Sequence, residues 1–194
     1  MVSFPPLMPS VEWWADFFKC HATGIPVDEA VMLANEKIPS SRDFARFNLK
    51  EANGEVITLS LAVEGGGRQL RSFDRIEGLT LSEHGEWRRN HMRAIDACLG
   101  KRPYSSYLFP KLSEVYPDKN LTTLKEFNTA IFRILYSFIL GQCSDYDFSL
   151  FYKNEILKER GKEISGNFHP KMSCLEVVTS YGKESLLGFL AINL

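Results

Sequence analysis

The residues best suited to chemistry cluster between positions 87 and 104. On a helix, Trp87, His91, Ala94, Ile95 and Cys98 fall along one side, while Arg89, Arg93 and Asp96 point away from it. His91 therefore sits on an apolar stripe. An imidazole there either exchanges protons with a pKa moved by partial burial, or is a neutral ring whose nitrogens are satisfied by neighbours. Arg88, Arg89 and Arg93 offer guanidinium groups to a phosphate or carboxylate, although a helix face with several arginines is also what a solvated surface looks like.

Other combinations are weaker. Gly65-Gly66-Gly67-Arg68 has backbone amides that suit a phosphate, but lacks the strand-loop-helix context and the Lys-Ser/Thr ending of a P-loop, and reads as a turn. Cys20-His21 places a nucleophile beside a base, yet adjacent helical residues point about 100° apart and do not converge. His169 precedes Pro170 in a loop. No group of residues has metal-ligand spacing, and no serine nucleophile elbow or cofactor signature is legible.

The elements that must position these groups divide by type. A short apolar stretch at 2–7 precedes a helix over 11–18, which is rich in Trp and Phe, and a strand is expected over 27–35. Asn53-Gly54 favours positive φ and predicts a hairpin that pairs 42–49 with 55–63; a further strand is expected over 71–79. The second half is helical. Ser82 is the expected N-cap of a helix that Gly100 stops, Tyr104 to Tyr116 reads as a helix interrupted near Pro110, and Thr122 to Leu140 reads as a long core helix closed by Gly141. Ser173 to Tyr181 is the last expected helix. Strands followed by helices predict one α+β domain over residues 1–194, with a mixed, largely antiparallel sheet from the N-terminal half packed by helices of the C-terminal half.

The same residues carry a resemblance. Trp87-Arg88-Arg89-Asn90-His91-Met92-Arg93-Ala94-Ile95, then Arg102-Pro103-Tyr104 and Tyr107, resembles the W-x-x-x-H-x-x-x-I and S/A-P-Y/F motifs of the WbqC-like family. Pro5-Pro6-Leu7-Met8-Pro9-Ser10-Val11-Glu12-Trp13-Trp14 resembles the family's P-x-Y-x-P-x-x-x-Y-F opening. The hairpin around Arg46, Asn53-Gly54 and Leu59-Ser60-Leu61 is similar to its N-R-x-x-I, glycine turn and L-T-V-P-V strand, and Ser173-Cys174-Leu175-Glu176 resembles S-I-L-D. Departures are Ser3-Phe4 in place of a His-Gln pair, Leu7 in place of Tyr, and Ala45 in place of Asn. The resemblance implies a place in O-antigen or other surface-polysaccharide assembly, with a transferase role, glycine transfer included. The roles come from chemistry. His91 is the expected general base, Arg46, Arg89 and Arg93 are expected anchors for an anionic donor, and Trp87 and Tyr104 are expected to border the site. The alternative is a noncatalytic binding or scaffold protein of the same pathway, suggested by the polar residues missing from the opening motif.

Bulk properties set the limits. The chain has 194 residues, 44% of them hydrophobic, with 23 Lys and Arg against 24 Asp and Glu. That supports a packed core and implies neither nucleic acid nor an anionic membrane as partner. The ligand that the resemblance implies is a sugar nucleotide, an aminoacyl group or a polysaccharide precursor. The four cysteines are widely spaced, as reduced, buried thiols would be. No export signal is legible in 1–9, and the apolar run at 131–140 is too short to span a bilayer, so the cytoplasm is the expected location.

Overall fold

A computed structural model of the chain describes residues 5–21, 42–67, 78–141, 158, 159, 162 and 172–193. The strand expected over 27–35, most of the one expected over 71–79, Ser3, Phe4 and His169 lie outside the described residues, as do the side chains of Cys20 and His21. Two strands and six helices of the α+β fold are named here.

The first helix, α1 (Val11–His21), carries the aromatic run. Its Trp14 stacks on Phe132 with ring centroids 5.4 Å apart, and Trp13 stacks on Phe17 at 5.3 Å. The hairpin follows. Strand β1 (Arg46–Lys50) pairs antiparallel with β2 (Val56–Ser60), Arg46 opposite Ser60 and Lys50 opposite Val56. Gly54 takes a φ of 90°, and the Asn53 side chain accepts from the Glu55 amide at 2.9 Å, so the turn is the one that Asn-Gly predicts, with strands shorter than expected. Period-two alternation puts Phe47 and Leu49 in the core and leaves Arg46, Asn48 and Lys50 exposed. Among the described residues the named sheet has these two strands only, joined to the rest by isolated bridges such as Val63 with Leu81.

Helix α2 (Trp87–Leu99) begins later than its sequence suggests. Ser82 is not its N-cap. A 3-10 turn, His84–Glu86, intervenes with Gly85 and Glu86 both at positive φ, and the Ser82 carbonyl instead accepts the Trp87 indole N–H at 2.6 Å. Helix α3 (Ser105–Val115) runs unbroken through Pro110, contrary to the expected interruption. Leu108 and Leu112 are fully buried on either side of the proline, and this packing outweighs the backbone bond that Pro110 cannot donate. Helix α4 (Leu124–Leu140) opens on a capping box between Thr123 and Glu126, which holds the Glu126 carboxyl below its usual range by backbone and side-chain hydrogen bonds from Thr123 and Thr122. Helix α5 (Cys174–Tyr181) is capped by Ser173, and α6 (Lys183–Asn193) follows after Gly182. Helix α6 was not expected from the sequence, because Gly182 precedes it, Gly188 lies within it, and its 183–192 stretch is apolar on more than one face.

The termini of the described chain close on each other. The Val11 amide donates to the Met172 carbonyl at 3.0 Å, and the Cys174 amide to the Pro9 carbonyl at 2.9 Å. The opening motif and the last motif are thus one structural unit.

Candidate functional site

His91 is held by three elements at once. Its ring lies among Trp87, Phe47 and Tyr116, with centroids 5.4, 6.1 and 5.9 Å away, and the residue is 4% exposed. Nε2 is 3.0 Å from the Ser60 carbonyl oxygen. A carbonyl only accepts, so Nε2 carries the proton; Nδ1 is then a bare lone pair, buried with no hydrogen-bond partner. Burial pushes the imidazole pKa down to about 4, against which the Ser60 bond pulls upward. A ring in this state is neutral at physiological pH, with its Nδ1 closed off from solvent in this conformation.

The Ser60 carbonyl also explains why a polar residue belongs on that apolar stripe. Arg46 and Ser60 face each other at a non-hydrogen-bonded position, since the next pair outward joins the Leu61 amide to the Ala45 carbonyl at 2.7 Å. The Ser60 carbonyl therefore points away from β1. His91 satisfies it.

On the other side of Ser60 lies a cleft of about 520 Å³. Its walls include Arg46, Ser60, Glu64, the backbone of Gly65 to Gly67, Ser82 and His84. Arg46 and His84 are exposed, and Gly65 and Gly66 have φ of 70° and 61°, a conformation in which a side chain would be strained. The cleft is concave and more apolar than polar, with a guanidinium, an imidazole and glycine backbone in its lining. His84 was not singled out in the sequence, where nothing distinguishes it from any loop histidine.

The other arginines separate. Arg88 is buried and structural: it donates to the carbonyls of Tyr116, Asp118 and Leu121 at 3.1, 3.0 and 2.8 Å, pairs with Glu83 at 2.9 Å, and lies over the Trp87 ring at 4.7 Å. Arg89 and Arg93 are exposed on a groove of about 660 Å³ between α2 and the end of α3, away from the Arg46 cleft, and Arg89 pairs with Glu86 at 3.3 Å. Trp87 is core. Tyr104 stands elsewhere again, its amide donating to the Thr179 carbonyl at 3.0 Å and its ring against Gly182. The fold thus joins Arg46 to His91 through Ser60, and keeps Arg89, Arg93 and Tyr104 apart from them.

A family model, that of the WbqC-like protein family, matches residues 9–158. The chain belongs to the WbqC-like family. No curated protein and no solved structure matches it. Membership gives the departures from the family motifs a physical reading. Leu7 and Ala45 are buried, and an apolar side chain at each is what core packing asks for.

Two buried polar residues were not singled out by sequence reasoning. Asn128, on the apolar helix α4, is fully buried and donates from Nδ2 to the carbonyls of Pro5 and Phe44 at 3.1 and 2.7 Å. It ties the opening motif to the hairpin. Glu176, in the last motif, is 8% exposed, and its carboxylate makes no hydrogen bond or ion pair among the described residues. The signal for both was a polar residue inside an otherwise apolar helical stretch. Among the described residues there is no cluster that could hold a metal ion, and no helix is long and apolar enough to cross a membrane.

Proposed function

We propose that this WbqC-like chain is a transferase of O-antigen or other surface-polysaccharide assembly, and that it binds an anionic donor in the Arg46 cleft. In the reaction class the family suggests, aminoacyl transfer with glycine included, an acceptor amine or hydroxyl attacks the activated carbonyl of the donor. The bond to the donor's leaving group breaks, and the acceptor gives up its proton. The observation that carries this reading is the placement of Arg46, the glycine backbone and His84 around one cleft. Arg46 supplies fixed positive charge for the anionic part of the donor, the glycines let backbone approach it closely, and His84 is the imidazole able to take a proton. His91 supports the cleft from behind through Ser60 and acts as a positioning residue.

The burial of His91 also favours a second reading, a noncatalytic binding or scaffold protein of the same pathway. One experiment addresses both. Calorimetric titration with glycyl-adenylate, a donor with an anionic phosphate and an activated carbonyl, is expected to show binding that Arg46→Ala weakens about tenfold, a loss of about 1.4 kcal/mol. Equal binding by Arg46→Ala, or none by the wild type, would remove the cleft as donor site. Binding with no transfer to any amine or hydroxyl acceptor, and with His84→Ala indistinguishable from wild type, would select the scaffold reading.

A further inference from the structure

The groove between α2 and the end of α3 holds about 660 Å³ and is more apolar than polar. Met92 and Phe109, each half-buried against the core, and the exposed Pro117 supply its apolar surface. Arg89 and Arg93 line it from α2. A spacing of four residues brings their Cβ atoms within about 6 Å and sets two guanidinium groups side by side, at a small cost to the helix from like charge. Lys119 joins them from the segment that follows α3. Arg89 has an exposed partner in Glu86 at 3.3 Å, whereas Arg93 and Lys119 form no ion pair among the described residues.

The walls of this groove are tied together from within. Arg88 turns inward and donates to the carbonyls of Tyr116, Asp118 and Leu121, so the segment that carries Pro117 and Lys119 is fastened to α2. Two of the carboxylates in the lining are already engaged, Glu83 by Arg88 at 2.9 Å and Glu86 by Arg89. Asp96, less than one turn beyond Arg93, forms no ion pair among the described residues. Positive charge therefore stands in the middle of the groove's α2 wall, with carboxylates toward both ends. A preformed, mostly apolar concavity of this volume, with a few charged groups on it, has the character of a small-molecule site.

We propose that this groove binds an aromatic monophosphate, with the ring on Met92 and Phe109 and the phosphate between Arg89 and Arg93. The groove is open along its length and covers one face of what lies in it. A planar ring gains from a single covered face, and from contact with a thioether and a second ring, where an acyl chain would stay half in water. A phosphate dianion has oxygens enough for two guanidinium forks, whereas one fork fills a carboxylate. Carboxylates toward both ends of the arginine pair leave a place for one anionic group and repel a chain of them, which disfavours polyphosphates and nucleic acid. The site stands independently of the transferase reading, because it shares no residue with the Arg46 cleft.

The test is carbon-13 methyl NMR of the full chain labelled at methionine, with the Met92 signal assigned by Met92→Leu, during titration with phenyl phosphate, AMP, ATP, adenosine and ribose 5-phosphate. Phenyl phosphate or AMP is expected to shift the Met92 methyl saturably, and the tighter of the two tells a simple aryl phosphate from a nucleotide. Adenosine, which lacks the phosphate, and ribose 5-phosphate, which lacks the ring, should each bind at least about tenfold more weakly, and ATP no more tightly than AMP. The double variant Arg89→Gln, Arg93→Gln should weaken the bound phosphate about tenfold or more; both positions are exposed, so it should fold as wild type does. Arg46→Ala should leave the titration unchanged. No shift of the Met92 methyl with either aromatic phosphate, a shift that the double variant leaves intact, or tighter binding of ATP than of AMP overturns the proposal. Loss in Arg46→Ala also overturns it, by assigning the phosphate to the other cleft, whereas failure of glycyl-adenylate binding at Arg46 touches only the transferase reading.

Discussion

Nε2 of His91 donates to the carbonyl oxygen of Ser60 across 3.0 Å, joining the buried stripe of α2 to the one residue of β2 that stands opposite Arg46. The histidine of the W-x-x-x-H-x-x-x-I motif thus terminates on the wall of a cleft rather than opening into it. Its polarity answers a backbone group that β1 cannot satisfy.

The burial of that ring, which the Ser60 bond only partly offsets, makes stability depend on pH. The imidazole pKa is about 4 in the folded chain and near 6.5 when unfolded, so the unfolded state binds more protons between those values. The contribution is fully present above pH 6.5 and is lost as pH falls toward 4, about 3 kcal/mol in all. Urea unfolding of the wild type at pH 7, 5.5 and 4.5 should show a falling midpoint. The part of that fall due to His91 should vanish in His91→Phe; an identical slope in the two proteins would contradict the assignment.

The three neighbouring arginines should behave unlike one another. Arg88→Ala removes one guanidinium that serves three backbone carbonyls, and is expected to cost about 3 to 5 kcal/mol. Arg89→Ala and Arg93→Ala, exposed on the outer face, should each stay within about 0.5 kcal/mol of wild type. Thermal unfolding at constant pH measures all three, and comparable losses for Arg88 and Arg93 would count against the geometry.

The sequence makes the hairpin, α1, α2, α4 and α5 readable, because each has a local signal: Asn-Gly at the turn, period-two alternation in β1, and apolar residues at three and four residue steps in the helices. It misplaces the start of α2 because Ser82 is followed by Gly85, whose positive φ breaks the helix and hands the Ser82 carbonyl to Trp87. The break expected at Pro110 fails for a non-local reason, the burial of Leu108 and Leu112. At the site, period 3.6 correctly puts His91 on the apolar side and Arg89 and Arg93 outside. It cannot show that Arg88 folds back over Trp87, nor that His84 shares a cleft with Arg46, since both depend on contacts between distant segments.

Asn128 offers a further check on those long-range contacts. Asn128→Ala leaves the carbonyls of Pro5 and Phe44 buried without a donor, and should destabilise the fold by about 3 kcal/mol. Thr58→Ala, which loses an exposed bond to Asn48 on the outer face of the hairpin, should cost less than about 1 kcal/mol. Chemical denaturation of the two variants side by side tests the contrast, and equal losses would mean that the opening motif is not tied down through Asn128.

The central claim is that His91 is a neutral, sealed group that positions Ser60. Nitrogen-15 NMR of the histidine side chains, followed from pH 8 to pH 4, tests it directly. His91 should hold the neutral Nε2–H form down to about pH 5 and protonate with a midpoint of about 4. An Nδ1–H form, or protonation near 6.5 as for an open imidazole, would contradict the account and return His91 to the candidates for proton transfer.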